Sequence, residues 1–184
     1  LKHFKVGKGH KVGVLGMGGL GHMGVKFAKA LGAEVTIFTR SEAKVAEAKK
    51  QGADHVIIST DKEQMKAAAD SFDFLLDTIP VAHDLNPYLK CLKYDGTHIL
   101  VGLLTPIEPA LQAGLLVTKR RVVAGSLIGG MPETQEVLDF CAEHDITCDI
   151  EMLYIRNINE AYVRMKKGDV KYRFVIDMKT LKEG

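Results

Sequence analysis

The chain has 184 residues, of which 46% are hydrophobic and 26% charged, and its formal net charge is +2. That length can bury a full core. So even a charge balance gives no electrostatic case for nucleic acid or an anionic membrane as partner, and no apolar run approaches the roughly 20 residues that span a bilayer.

Three cysteines at irregular spacing make no disulfide framework and fit a reducing, cytoplasmic setting. No signal peptide opens the chain. A first residue Leu1, without an initiator methionine, reads as a piece excised from something longer.

In chain order, the first strand is KVGVLG, and it runs directly into Gly16-Met17-Gly18-Gly19-Leu20-Gly21. This is G-x-G-x-x-G between a strand and a helix. Gly16 serves the tight turn, Gly18 the approach of backbone to a pyrophosphate, and Gly21 the pressing of helix on strand. The helix that follows aims its N-terminal N–H groups and positive dipole end at the phosphates. Leu20, Met23, Phe27 and Leu31 recur at helical spacing and predict its buried stripe, with Lys26 and Lys29 outside it. Gly32 and Gly52 stand where left-handed caps would end helices.

The second strand is EVTIFT. An acid at its end, near Thr39, would bind the ribose 2′-hydroxyl of NAD. Here the stretch is Thr39-Arg40-Ser41, with Lys44 following. Thr39 and Ser41 would not repel a 2′-phosphate, and Arg40, with Lys44, would hold it by charge-assisted bonds. The pattern therefore predicts NADP(H).

Next come HVIIS, FDFLLDT, HILVG and VVAGS, with Asp95-Gly96 as the turn before HILVG. Lys119-Arg120-Arg121 reads as the solvated start of the sixth strand. The connection TPIEPALQAGLLVTKRR holds two prolines and a glycine and predicts only a short helix. Continuous apolar strands alternating with helices predict an α/β, doubly wound parallel sheet (Rossmann) with six core strands in the order 3-2-1-4-5-6.

Beyond residue 131 the pattern is helix PETQEVLDFCAEH, strand IEMLYI, helix INEAYVRMKKG and strand YRFVIDM. These elements exceed what the sheet needs. The predicted division is residues 1–148 as the NADP-binding domain and 149–184 as a C-terminal segment packing on it or returning toward a catalytic domain outside this chain.

The stretches GMGGLGHMGVKFAKALGA, FDFLLDT with Ile79-Pro80, PYLKCLKYDGTHILVG, GSLIGG, PETQEVLDFCAEH and INEAYVRMKKGDVKYRFVID carry a resemblance across nearly the whole chain. In order and content they resemble the coenzyme half of a zinc-containing medium-chain alcohol dehydrogenase, in the cinnamyl alcohol dehydrogenase branch. The resemblance implies that Gly16, Met17, Gly18, Gly19, Leu20 and Gly21 cradle the pyrophosphate. It implies that Thr39, Arg40, Ser41 and Lys44 bind the 2′-phosphate, although the family has serines and lysines at the Thr39-Arg40 positions. Thr78 and Gly102 would line the nicotinamide side, and Ser126, Leu127 and Ile128 would meet the carboxamide through backbone groups. Lys171 and Arg173 are further candidates for phosphate.

The resemblance also implies hydride transfer between NADPH and an aldehyde or primary alcohol. A catalytic zinc held by cysteine, histidine and glutamate would assist, and a second, structural zinc would sit in a cysteine cluster. Both zinc sites belong to an N-terminal catalytic domain, so this chain alone is expected to bind coenzyme without turnover. A homodimer paired through the sixth strand is implied as well, and an apolar sheet edge favours such pairing.

Other groupings weigh less. Cys141, His144 and Cys148 lack C-x-x-C spacing, and Cys141, beside Val137, Leu138 and Phe140, reads as a small hydrophobe on a buried helix face. Tyr162 and Lys166 have the Y-x-x-x-K spacing of a short-chain dehydrogenase relay. Periodicity instead places Tyr162 with Ile158, Ala161 and Met165 in one apolar stripe. His22 would either touch the pyrophosphate or complete the first turn. His83-Asp84 would start a helix, and no nucleophile accompanies it. The competing functions are a stand-alone NADP(H)-sensing or scaffold domain and an intact short-chain reductase.

Overall fold

The computed structural model describes residues 1–102 and 105–182. They form two compact units, 1–146 and 147–184.

In the first unit six parallel strands run β1 (Lys11–Leu15), β2 (Glu34–Thr39), β3 (His55–Ile58), β4 (Phe72–Asp77), β5 (Leu92–Leu100) and β6 (Val122–Gly125). Their spatial order is β3-β2-β1-β4-β5-β6, as the alternation predicts. The helices are α1 (Gly19–Ala30), α2 (Val45–Lys50), α3 (Lys62–Ala67), α4 (Asn86–Cys91), α5 (Ala113–Val117) and α6 (Met131–Glu143).

One core cluster joins Val12, Val14, Val35, Ile37, Leu76 and Ile99 of the sheet to Val25 and Ala28 of α1 and Ala48 of α2. A second joins Leu15, Phe38, Phe72 and Leu75 to Leu89 and Cys91 of α4, with Met65 of α3 and Leu115 and Leu116 of α5 packed against it. Central strands thus lose both faces to helices, which is why they read as unbroken apolar runs. The chain changes faces between β3 and β4, so β1 and β4 are neighbours whose connections leave in opposite directions. A crevice opens there at the carboxyl ends.

Four local features differ from the sequence-based expectation. The face that α1 buries is Gly21, His22, Gly24, Val25 and Ala28, whereas Leu20 is exposed and Met23 and Phe27 are half-buried. The reason is proximity. A Cβ on Gly24 would meet Leu76 Cδ2 at 2.6 Å, so the helix lies too close to the sheet for large side chains on that side.

Asp95-Gly96 does not precede the fifth strand but lies within it, at the irregularity where β5 shifts register against β4, with Asp95 at φ 59°. On α6, Val137 and Leu138 are exposed and Cys141 is half-buried, so the helix buries far less than its periodicity suggests.

Finally, the Lys119-Arg120-Arg121 cluster is not simply solvated. Arg121 is 8% exposed and donates to the Leu92 carbonyl at 2.7 and 2.9 Å, the Leu115 carbonyl at 3.1 Å and Asp70 at 2.8 Å. Arg120 forms a fork on Asp95 at 2.6 and 2.7 Å, and Lys119 pairs with Asp70. Gly32 and Gly52 do occupy left-handed helix ends, at φ 84° and 97°.

The Cys91 thiol is buried between α4 and the sheet, and burial pushes it up to about 11. At pH 8 it stays protonated and shielded. Ellman's reagent is expected to titrate Cys91 only once the chain is unfolded in guanidinium; rapid reaction of a Cys141→Ser, Cys148→Ser variant in buffer would contradict this.

The second unit pairs β7 (Ile150–Tyr154) with β8 (Arg173–Asp177) in parallel, connected through α7 (Ile158–Lys166). Ile158, Ala161, Tyr162 and Met165 share one face and line a groove with Leu153 and Phe174, which is the apolar stripe that periodicity predicts. Lys171 and Arg173 lie at the start of β8. Among the described residues no helix is long and apolar enough to cross a membrane.

Candidate nucleotide site

At the end of β1 the backbone turns through Gly16 at φ +87°, a conformation that disfavours any side chain. The N–H of Gly16 donates to Phe38 O on β2, and β4 closes the other side, where a Cβ on Gly16 would meet Thr78 Oγ1 at 3.0 Å. Gly21, two residues into α1, faces back on this turn, and a Cβ there would collide with the Gly16 carbonyl oxygen. Helix and strand end are therefore in backbone contact.

Gly18 is the helix N-cap and makes no side-chain cap bond. A Cβ built on it meets nothing within 4 Å. Its freedom from packing contrasts with Gly16 and Gly21 and leaves its outer side open to a ligand. Met17, Gly19 and Leu20 complete the loop. His22 is wholly buried, with Nδ1 3.1 Å from Gly18 O, so its ring closes the first turn of α1.

At the end of β2, Thr39 is buried, its carbonyl accepting the N–H of Ser59 at 2.8 Å and its Oγ1 accepting the N–H of Ser41 at 3.3 Å. Arg40, Ser41 and Lys44 are exposed. Among the described residues no carboxylate pairs with the Arg40 guanidinium or the Lys44 ammonium. The positive charge there is uncompensated. Beneath lies Tyr88 of α4, whose phenol is pushed up by burial, against a hydrogen bond with Ser59 and the charge of Arg40.

On the far side of the crevice Thr78 donates its hydroxyl to Leu15 O at 2.7 Å, tying the ends of β1 and β4 together. Gly102 follows β5; its N–H donates to Asp77 O at 3.1 Å, and a Cβ there would lie 2.5 Å from the Thr78 carbonyl carbon. Ser126, after β6, donates its N–H to Leu100 O at 3.0 Å. Leu127 and Ile128 beyond it are 76% and 90% exposed. The sequence-predicted positions thus share the carboxyl edge of one sheet: Gly16, Gly21, Thr78 and Gly102 lie in one contiguous set of contacts, Thr39 to Lys44 at the end of β2, and Ser126 to Ile128 at the end of β6.

A buried group beside this edge escapes motif reading. Asp77, the last residue of β4, is inaccessible to solvent and sits 2.9 Å from both His83 Nε2 and His98 Nε2. The pair His83-Asp84 does lead into α4, where Asp84 Oδ1 accepts the N–H of Asn86 at 2.9 Å. A signal was present nonetheless: an acid inside FDFLLD and a histidine inside HIL, each on a strand buried on both faces, demand a partner.

No group of three or more His, Cys, Asp or Glu side chains among the described residues is fit to hold a metal ion. Cys141 and His144 lie at the end of α6, where the His144 ring packs on Phe140 with centroids 4.2 Å apart, and Cys148 lies in the second unit.

Residues 19–143 match the family described as zinc-binding dehydrogenase. Aldehyde reductase YahK of Escherichia coli (strain K12) is 55% identical over 181 residues, covering 98% of this chain and 52% of that protein. A cinnamyl alcohol dehydrogenase of Sorghum bicolor superposes with a TM-score of 0.90 at 43% identity, over 96% of this chain and 50% of that one. The cinnamyl alcohol dehydrogenase (CAD) of Helicobacter pylori complexed with NADP(H) gives a TM-score of 0.84 at 44% identity, over 97% and 51%. The chain spans about half the length of the relatives it matches.

Proposed function

The chain belongs to the zinc-binding dehydrogenase family, and from that premise we propose that it is the NADP(H)-binding half of an alcohol dehydrogenase or aldehyde reductase. The observation that carries the coenzyme choice is the uncompensated Arg40 and Lys44 at the end of β2, one strand from a glycine turn whose Gly18 is open. The aldehyde reductase and the NADP(H) complex among the relatives support the same assignment.

In this proposal the residues have distinct tasks. The loop Gly16–Gly21 receives the pyrophosphate, with α1 directing its positive end at it. Arg40 and Lys44 neutralise the 2′-phosphate, flanked by the uncharged Thr39 and Ser41. Thr78 and Gly102 supply a rigid wall against the nicotinamide, and the Ser126–Ile128 backbone meets its carboxamide. The bound coenzyme supplies or accepts a hydride; the chain binds it, orients it and sets its preference. Aldehydes and primary alcohols are the substrates in the whole protein. Zinc, where the whole protein uses it, is in this proposal held by ligands outside this chain.

The same proposal includes two-fold pairing through β6. That strand is a sheet edge, and Val122, Leu127, Ile128 and Met131 beside it are exposed.

Calorimetric titration at fixed ionic strength tests the coenzyme assignment. NADPH is expected to bind at least about tenfold more tightly than NADH, with no aldehyde turnover by the chain itself. Failure to bind either coenzyme, or a preference for NADH, would overturn it.

A further inference from the structure

The end of β2 is braced from a neighbouring strand. The Thr39 carbonyl oxygen accepts two bonds from one residue, the N–H of Ser59 at 2.8 Å and its hydroxyl at 3.3 Å. Ser59 stands just past β3, where Thr39 pairs with Ile58 in parallel register. The backbone bond continues the sheet ladder, and the hydroxyl bond is additional.

Tyr88 of α4 holds the other side of that hydroxyl. Its ring packs edge-on against Phe38 of β2, with centroids 5.6 Å apart, and joins the second core cluster. Burial pushes the phenol up, so it stays protonated, and it shares a hydrogen bond with Ser59. Thr39 O can only accept, so the single Ser59 hydroxyl proton points there. The phenol therefore donates to Ser59 Oγ, a direction assigned from the hydrogen-bond network. The result is a relay from Tyr88 O–H to Ser59 Oγ, and from Ser59 O–H to Thr39 O.

This relay is separate from what folds the adjoining turn. Gln64 Oε1 accepts the Ile58 N–H at 2.8 Å, and Gln64 Nε2 donates to Asp61 Oδ2 at 3.0 Å. Asp61 Oδ1 accepts the N–H groups of Glu63 and Gln64 at 2.9 and 3.2 Å, capping α3. None of these bonds uses the Ser59 hydroxyl. Its effect falls instead on Arg40. The Thr39 carbonyl and the Arg40 N–H belong to one planar peptide unit, and the next N–H, that of Ser41, is held by Thr39 Oγ1 at 3.3 Å. Arg40 thus leaves the sheet between two fixed points, with its guanidinium acting on the Tyr88 phenol.

We propose that Ser59, backed by Tyr88, is a positioning residue for coenzyme choice: it orients the Thr39–Arg40 peptide so that Arg40 meets the 2′-phosphate from a prepared direction. This rests on the coenzyme assignment above. Preorganisation lowers the ordering cost that a long arginine side chain incurs on binding. NADPH alone benefits, because NADH offers Arg40 no phosphate.

The test is calorimetric titration of NADPH and NADH into wild type, Ser59→Ala, Ser59→Thr, Tyr88→Phe and the Ser59→Ala, Tyr88→Phe double variant. Ser59→Ala is expected to raise the Kd for NADPH roughly three- to tenfold and to leave that for NADH within about twofold. Ser59→Thr keeps the hydroxyl and should restore NADPH binding. Tyr88→Phe keeps the ring in the core and should weaken NADPH binding roughly two- to threefold, again sparing NADH. The double variant should be no weaker than Ser59→Ala, because the phenol acts through the serine. If Ser59→Ala fails to fold, Tyr88→Phe decides alone by its ratio between the two coenzymes. Equal losses for both coenzymes, or an unchanged Kd for NADPH, overturn the positioning role and leave the coenzyme assignment standing. Additive losses in the double variant overturn the relay. A wild-type chain that prefers NADH, or binds neither coenzyme, overturns the assignment and the positioning role together.

Discussion

Arg40→Ala is expected to weaken NADPH binding by roughly 10- to 100-fold while leaving NADH binding within about twofold. The asymmetry follows from where the charge sits. Arg40 is exposed and, among the described residues, pairs with no carboxylate, so its removal leaves the fold and the Gly16–Gly21 loop unaltered. What disappears is the partner of a phosphate that only one coenzyme has. Lys44 remains one turn on and keeps the loss from being complete. Because the pair would be near water, the difference between wild type and variant should shrink steadily as salt rises from 0.05 to 1 M. Parallel calorimetry of both coenzymes at several salt concentrations measures this; an equal loss for NADPH and NADH would count against the assignment.

The second large effect concerns stability. Arg121→Ala should destabilise the first unit by about 3 kcal/mol, lowering its melting temperature by roughly 6–12 °C. The guanidinium is nearly inaccessible and bridges the Leu92 and Leu115 carbonyls while pairing with Asp70. Truncation strands those carbonyls without donors beneath α5 and the start of β6. Arg121→Lys should recover little, because one ammonium cannot reproduce a planar fork with several divergent acceptors. Thermal unfolding followed by circular dichroism reads the shift; a change under about 1 kcal/mol would mean that water replaces the lost donors.

Why the sheet was legible and other parts were not has a physical basis. Strands buried on both faces write themselves as near-continuous apolar runs such as KVGVL or EVTIF, because a polar residue there needs a partner inside the core. The glycine turn is legible for the opposite reason, since Gly16 and Gly21 stand where backbone meets backbone and nothing larger can. The face of α1 was misread because hydrophobic spacing identifies large apolar residues. The contact itself selects small ones, such as Gly21 and Gly24, when a helix lies this close to a strand. Arg121 was misread because charge composition says nothing of carbonyls left over at a strand end. Asp77 and His98 stayed hidden because their partnership spans 21 positions and depends on neighbouring strands, a distance no local pattern encodes.

The backbone-to-backbone seating of Gly102 on Thr78, and of Gly21 on Gly16, also separates two jobs that evolution can adjust independently. The platform is fixed by the absence of side chains, so its shape is insensitive to which letters occupy positions 39–44. Under the assignment proposed above, exchanging the exposed Arg40, Ser41 or Lys44 would shift coenzyme choice while the platform beneath stays as it is.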